Sequence, residues 1–318
     1  MSSIRPNPAS LPLRALAPLC LVGLVALSSC DLEFPDQEVQ LKYRVSTDSL
    51  DLLLIYRGLT APEESSEAVE KGVRAVERLM GGAREFMIVD WPLYFEIDKW
   101  AREAAETLAD AEASSHDRAQ ARRFLEVAER IALVSHGLFL DAEQRLAGYQ
   151  QFRVRELGRV AELLNRMISA DVLDERERGK LKPDEAFDAR TIQLLIQRAE
   201  SGKPWFRLDS DGLTVDLPFS LETTRQGRSV LFHELLKSDD EDEAFADLGA
   251  VLLASVSSVS FEPDRVVGTF RPDEPGRFRF EIENPAAEYS EALYGALRAK
   301  GQMIREDLTI EDLRALLR

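Results

Sequence analysis

Apolar side chains along this chain fall into runs, alternations and helical stripes, and each pattern predicts its own kind of element. Residues 41–45 and 50–57 read as two strands joined at Ser46-Thr47-Asp48-Ser49. Within the second, Leu52-Leu53-Leu54-Ile55-Tyr56 is unbroken apolar, as expected of a strand covered on both faces. Pro62 suits a first helical position, with Glu63 and Glu64 behind it where acids favour the helix dipole. Ala68, Val73, Val76 and Met80 follow at helical spacing, and Gly81-Gly82 ends the segment. Phe86-Met87-Ile88-Val89 is a third apolar run, expected to pair beside the second strand. Residues 90–98 continue it, with Pro92 marking an edge or bend.

From about residue 99 to 170 the spacing predicts helices. Phe124, Ala128, Ile131, Ser135, Leu138 and Ala142 trace one stripe, and Phe152, Val160, Leu164 and Met167 another, with a break near Gly148. The polar stretch 112–117, which includes His116, reads as a loop. Packed together these helices form an antiparallel bundle. Residues 171–184 are charged and poor in apolar side chains, which makes them the best internal boundary. A short helix over 184–199 follows, stopped by Gly202 and Pro204. Phe206 and Leu208, then Leu213, Val215, Leu217 and Phe219, alternate with polar positions around the turn Asp209-Ser210-Asp211-Gly212, the clearest hairpin in the chain. A helix near 226–237, strands over 251–261 and 265–270, a half-wet strand through Phe278, Phe280 and Ile282, and helices after Pro285 and over 308–317 complete the reading. Strands before and after a helical block predict an α+β fold, with short antiparallel strands and hairpins packed with a central helical bundle.

The first thirty residues obey different rules. Arg5 and Arg14 are the charged side chains among residues 1–29, and a mostly apolar run to Leu27 follows them. That run, about a dozen residues, is short of the roughly 20 needed to span a bilayer. A basic start, a short apolar middle and a small-residue end are the parts of an export signal. The end reads Leu27-Ser28-Ser29-Cys30. This resembles the lipobox of bacterial lipoproteins, and the resemblance covers the signal and cleavage site alone. It implies cleavage just before Cys30, a diacylglyceryl thioether on the Cys30 sulfur, and membrane lipid as a partner through those acyl chains. Two chains suffice for durable anchoring, since each buried methylene is worth about 0.8 kcal/mol. The organisation expected is a signal peptide over 1–29, an acidic tether over 30–38, strands and helical bundle over 39–170, and an α+β portion over 171–318. The sequence leaves open whether those last two are one domain. Asp31 after the cysteine is associated in enterobacterial lipoproteins with inner-membrane retention, so the expected address is the cell envelope, leaning to the inner membrane in a diderm source.

Composition narrows the function classes. Cys20 leaves with the signal, so Cys30 is the single cysteine of the mature chain and neither a disulfide nor a cysteine-based metal site is expected. With 57 acidic against 40 basic residues and a net charge of −17, the chain repels nucleic acid, whose binding depends on Lys and Arg neutralising phosphates. A content of 45% hydrophobic and 31% charged residues is that of a folded domain.

No motif specifies a reaction. His233-Glu234-Leu235-Leu236-Lys237 begins like a zincin helix, but Lys237 stands where the second histidine must be. Asp209-Ser210-Asp211-Gly212 lacks the later oxygens of a calcium loop, and the acidic run 239–243 lacks its glycine. No cofactor or metal is expected. The least ordinary stretch places Asp90, Glu96 and Asp98 among Trp91, Tyr94 and Trp100. Carboxylates beside aromatics can serve glycosidic chemistry, and they equally describe a strand end with Asp98 as a helix cap. Two functions therefore compete. One is a non-catalytic envelope lipoprotein that binds a partner protein or envelope polymer. The other is an envelope hydrolase using acids near Asp90 and Glu96 with His136 or His233.

Overall fold

A computed structural model of the protein describes residues 32–318, apart from 64, 89–92, 184–186, 210–211, 221–257, 263, 271–274, 282–286 and 318. Cys30, Asp90 and Trp91, the 226–237 helix with His233, and the acidic run 239–243 lie outside the described residues.

The first two strands form as their patterns predict. β1 (Asp36–Arg44) and β2 (Ser49–Arg57) pair antiparallel, from Asp36 opposite Arg57 to Arg44 opposite Ser49, and a 3-10 turn over Val45–Thr47 links them. β1 begins well before the apolar pattern suggests. Its leading side chains are polar but buried, because Arg57 bridges both Asp36 and Glu38. The stretch read as an acidic tether is therefore part of the fold from Leu32 onward. Leu32 and Phe34 are core residues, and Glu33 exchanges backbone hydrogen bonds with Thr60.

α1 (Ser66–Met80) starts later than Pro62, where the Ser65 side chain caps it by accepting the Ala68 N–H. Ala68, Val73, Val76 and Met80 are buried as the spacing requires. β3 (Glu85–Ile88) does not join β2; it pairs with β4 (Leu93–Glu96) as a separate two-stranded hairpin. Both edges of β2 are already taken, by β1 and by β6 (Leu146–Arg155). Side chains pin the hairpin to the sheet instead: Gln37 and Tyr56 donate to the Met87 carbonyl, and Gln150 donates to the carbonyls of Leu79 and Glu85.

The 99–170 segment is not all helix. α2 (Ile97–Ala109) and α3 (Ser115–Ala128) give way to the strand β5 (Ile131–Leu140), which pairs antiparallel with β6 before α4 (Leu157–Glu177) begins. The register of β5 shifts between Leu133 and Ser135. A bulge of this kind inserts one residue and resets the two-residue alternation. Ile131 and Leu133 face the core before it and Leu138 after it, so the apolar spacing mimics a helical stripe. Helices still form a layer, with α2 against α3, α3 against α4, and α4 against α5 (Ala189–Ser201).

The main sheet runs β11 (Pro275–Glu281), β1, β2, β6, β5, β12 (Ile304–Arg305), antiparallel except for the β5–β12 pair. One face, with Val39, Leu54, Tyr56, Phe152 and Leu138, packs under α1, the β3–β4 hairpin and α6 (Ala287–Ala299). The other, with Leu53, Ile55, Phe139, Ala147 and Tyr149, is covered by Leu313 and Leu317 at α7 (Ile310–Ala315). Burial on both sides explains the unbroken apolar run of β2. A second sheet, β7 (Phe206–Asp209), β8 (Gly212–Leu217), β10 (Arg265–Phe270) and β9 (Ser258–Glu262), belongs to a core of Ile168, Val172, Leu195, Trp205, Leu217 and Phe219. The boundary expected over 171–184 is not a linker, since α4 runs through Glu177 with Asp171 and Val172 buried. The architecture is α+β. Among the described residues, no helix is long and apolar enough to cross a membrane.

Candidate functional site

The acids singled out from sequence are occupied structurally where they are described. Glu96 pairs with Lys99 at 2.6 Å, one helical turn on. Asp98, in the first turn of α2, accepts the Arg84 backbone N–H at 2.9 Å and its guanidinium at 2.6 Å. Burial pushes the Asp98 carboxyl up, but the hydrogen bonds and charge of Arg84 outweigh it and hold the group below the usual carboxylate range. Arg84 also donates to the carbonyls of Ala128 and Ile131, so Asp98 orients a clamp across the end of α3. Trp100 is packed between Phe95 and Phe124, with ring centroids 6.1 and 6.3 Å away. It is half-buried and packs against the main core. His136 stands exposed on β5, a strand and not the helix expected, and its ring lies near Gly82.

One histidine–carboxylate pair does form, from residues the sequence kept apart. His116, expected in a loop, is in the first turn of α3, whose cap Ser114 accepts the Asp117 N–H. Its Nε2 lies 3.1 Å from Asp171 Oδ1 on α4 and 4.0 Å from Asp174. Gln120 donates to the same Asp171 oxygen and to the Met167 carbonyl, while Arg123 donates to the Gln120 amide oxygen. The second Asp171 oxygen is buried without a hydrogen-bond partner. Burial, helped by Asp174 and opposed by Gln120 and His116, pushes the Asp171 carboxyl up to about 6. The pair ties α3 to α4. No sequence signal marks it, because residues 116 and 171 meet only through helix packing.

A groove of about 540 Å³ lies at the other end of α4, lined by Tyr43, Val45, Asp48, Gly158, Asn165 and Leu208 among others. Its polar groups are committed to the fold. Asp48 adopts left-handed backbone, φ 43°, and both its carboxylate oxygens accept the Gly158 N–H at 3.1 and 3.2 Å, capping α4 from outside its own segment. The Asn165 side chain accepts from the Trp205 and Phe206 N–H groups and donates to the Phe206 carbonyl, which locks β7 onto α4. What remains is an open, part-apolar surface with its polar groups engaged internally. Among the described residues, no group of three or more His, Cys, Asp or Glu side chains could hold a metal ion.

Comparison with protein-family models, with curated proteins and with solved structures finds no match.

Proposed function

We propose that the chain is a lipid-anchored lipoprotein of the cell envelope, acylated at Cys30, whose α+β domain is a non-catalytic interaction module for a partner protein or envelope polymer. Leu27-Ser28-Ser29-Cys30 behind a basic and apolar leader carries the anchor reading. The fold is consistent with it, since Leu32, two residues after the one that would hold the lipid, is already buried. Asp31 leans toward the inner membrane in a diderm source. The interaction role is supported by the way Glu96 and Asp98 are spent on ion pairs, and by the groove beside Asp48.

Mass spectrometry of the natively produced protein tests the anchor. The expected N-terminus is Cys30 carrying a diacylglyceryl group. An unmodified Cys30, or a mature start elsewhere, overturns the reading. Crosslinking on intact membranes followed by purification tests the role; a reproducible stoichiometric partner is expected, and its absence under saturating crosslinker argues for passive spacing.

A further inference from the structure

We propose that the end of the main sheet where Glu33 bridges Thr60, with the 141–145 turn exposed beside it, faces the bilayer, so that the groove beside Asp48 opens away from it. This rests on acylation of Cys30. One residue separates Cys30 from Leu32, so the lipid-bearing Cα lies within about 8 Å of the Leu32 Cα. Leu32 has no play: it is buried, and the next residue, Glu33, exchanges 2.9 Å backbone hydrogen bonds with Thr60 in both directions. Pro35 then packs so closely on Gly58 that an added Cβ there would sit 2.8 Å from the proline ring.

Antiparallel pairing gathers other strand ends at this end of the sheet, the near edge. Asp36 is opposite Arg57, Arg57 opposite Ala147, and Leu140 opposite Leu146. The Leu59 N–H donates to the Leu146 carbonyl, and the Asp141 carboxylate closes the turn by accepting the N–H groups of Glu143 and Arg145. At the far end, Arg44 is opposite Ser49 and Ser49 opposite Arg155. β1 separates the two ends by about 27 Å at the usual strand rise. Tyr43, Val45 and Asp48, which line the groove, belong to that far end.

Among the described residues, the near edge has little electrostatic hold of its own. Glu63 and Glu143 are exposed there, and Arg145 is engaged by Asp141 and Glu143. The acyl chains would do the holding, and the short connection would set the orientation.

The test uses the acylated mature protein, starting at Cys30, in phosphatidylcholine vesicles containing brominated lipid, with one fluorophore on A142C, E63C or V45C. Ala142 and Glu63 are exposed at the near edge, and Val45 is 46% exposed at the far one. Acylation blocks Cys30, so the introduced thiol alone is labelled. Quenching is expected to be several-fold stronger at 142 and 63 than at 45. Equal or reversed quenching overturns the orientation. A flexible insert of about 20 residues between Asp31 and Leu32, reaching about 25 Å, is expected to abolish the difference. Persistence of the difference would mean that something other than the short connection orients the domain. The mass of the same preparation reports acylation separately, and an unacylated product overturns the anchor reading together with this inference.

Discussion

Asp51 is fully buried, yet Arg44 and Arg153 both reach it at 2.6 Å. Burial pushes its carboxyl up, and the two arginines more than reverse that, holding it below its ordinary value of 3.8. Its contribution to stability is present above that value and is lost as pH falls through the lower, folded one. Asp171 works in the opposite sense. Its folded carboxyl titrates near 6 against an ordinary 3.8, so the folded state binds a proton more readily than the unfolded chain. The stability tied to it therefore rises as pH falls from above 6 toward 3.8. In the variant Asp171→Asn this gain is expected to vanish, so urea midpoints measured between pH 7 and 5 should rise less than in the wild type. Parallel midpoint curves for the two proteins would remove Asp171 as the source. Asp51 does not confuse the comparison, because its loss begins below that window.

Among the elements, α7 is the clearest case of structure borrowed from packing. Six residues are too few to hold a helix in water, even with the capping box of Thr309 and Asp312. Leu313 and Leu317 seat it in the pocket of Leu53, Ile55, Phe139, Ala147 and Tyr149. Arg44 donates to the Leu317 carbonyl and Gln151 to that of Leu316, so the polar rim is satisfied too. Leu313 has no exposed surface, and truncation of such a side chain costs about 3 kcal/mol. Leu313→Ala should lower stability by that order in urea titration. It should also speed hydrogen exchange of the α7 amides far more than that of the β5–β6 hairpin. Equal acceleration in both would mean that α7 and the sheet open as one unit.

In the molecule as a whole, α4 joins what looked like two portions. Val160, Leu163 and Met167 pack with Val127 of α3, while Ile168 and Val172 join Trp205 and Leu217 of the second core. A single helix facing two cores makes it costly to lose one and keep the other. Trp205 fluorescence, isolated by changing Trp91 and Trp100 to Phe, should therefore follow the same urea transition as far-UV circular dichroism. A separate, earlier fluorescence transition would mean the second sheet unfolds alone.

Local pattern was enough for the α+β class, for the β1–β2 and β7–β8 hairpins and for the buried stripe of α1. Alternation, helical spacing and capping residues all act within a few positions, so they can be read along the chain. The candidate acids were visible as residue types, and Lys99 lies within a turn of Glu96, but the partner of Asp98 was not visible, since Arg84 meets it only when β3 pairs with β4. The β5–β6 hairpin escaped because one bulge shifts the alternation into a helix-like spacing. Asp36 and Glu38 looked like solvated tether, and residues 171–177 like a boundary, because burial of charge depends on arginine, glutamine and histidine side chains brought in from distant segments. Spacing dictated which segments could form elements; which charges could leave water was decided by the tertiary contacts that pair them.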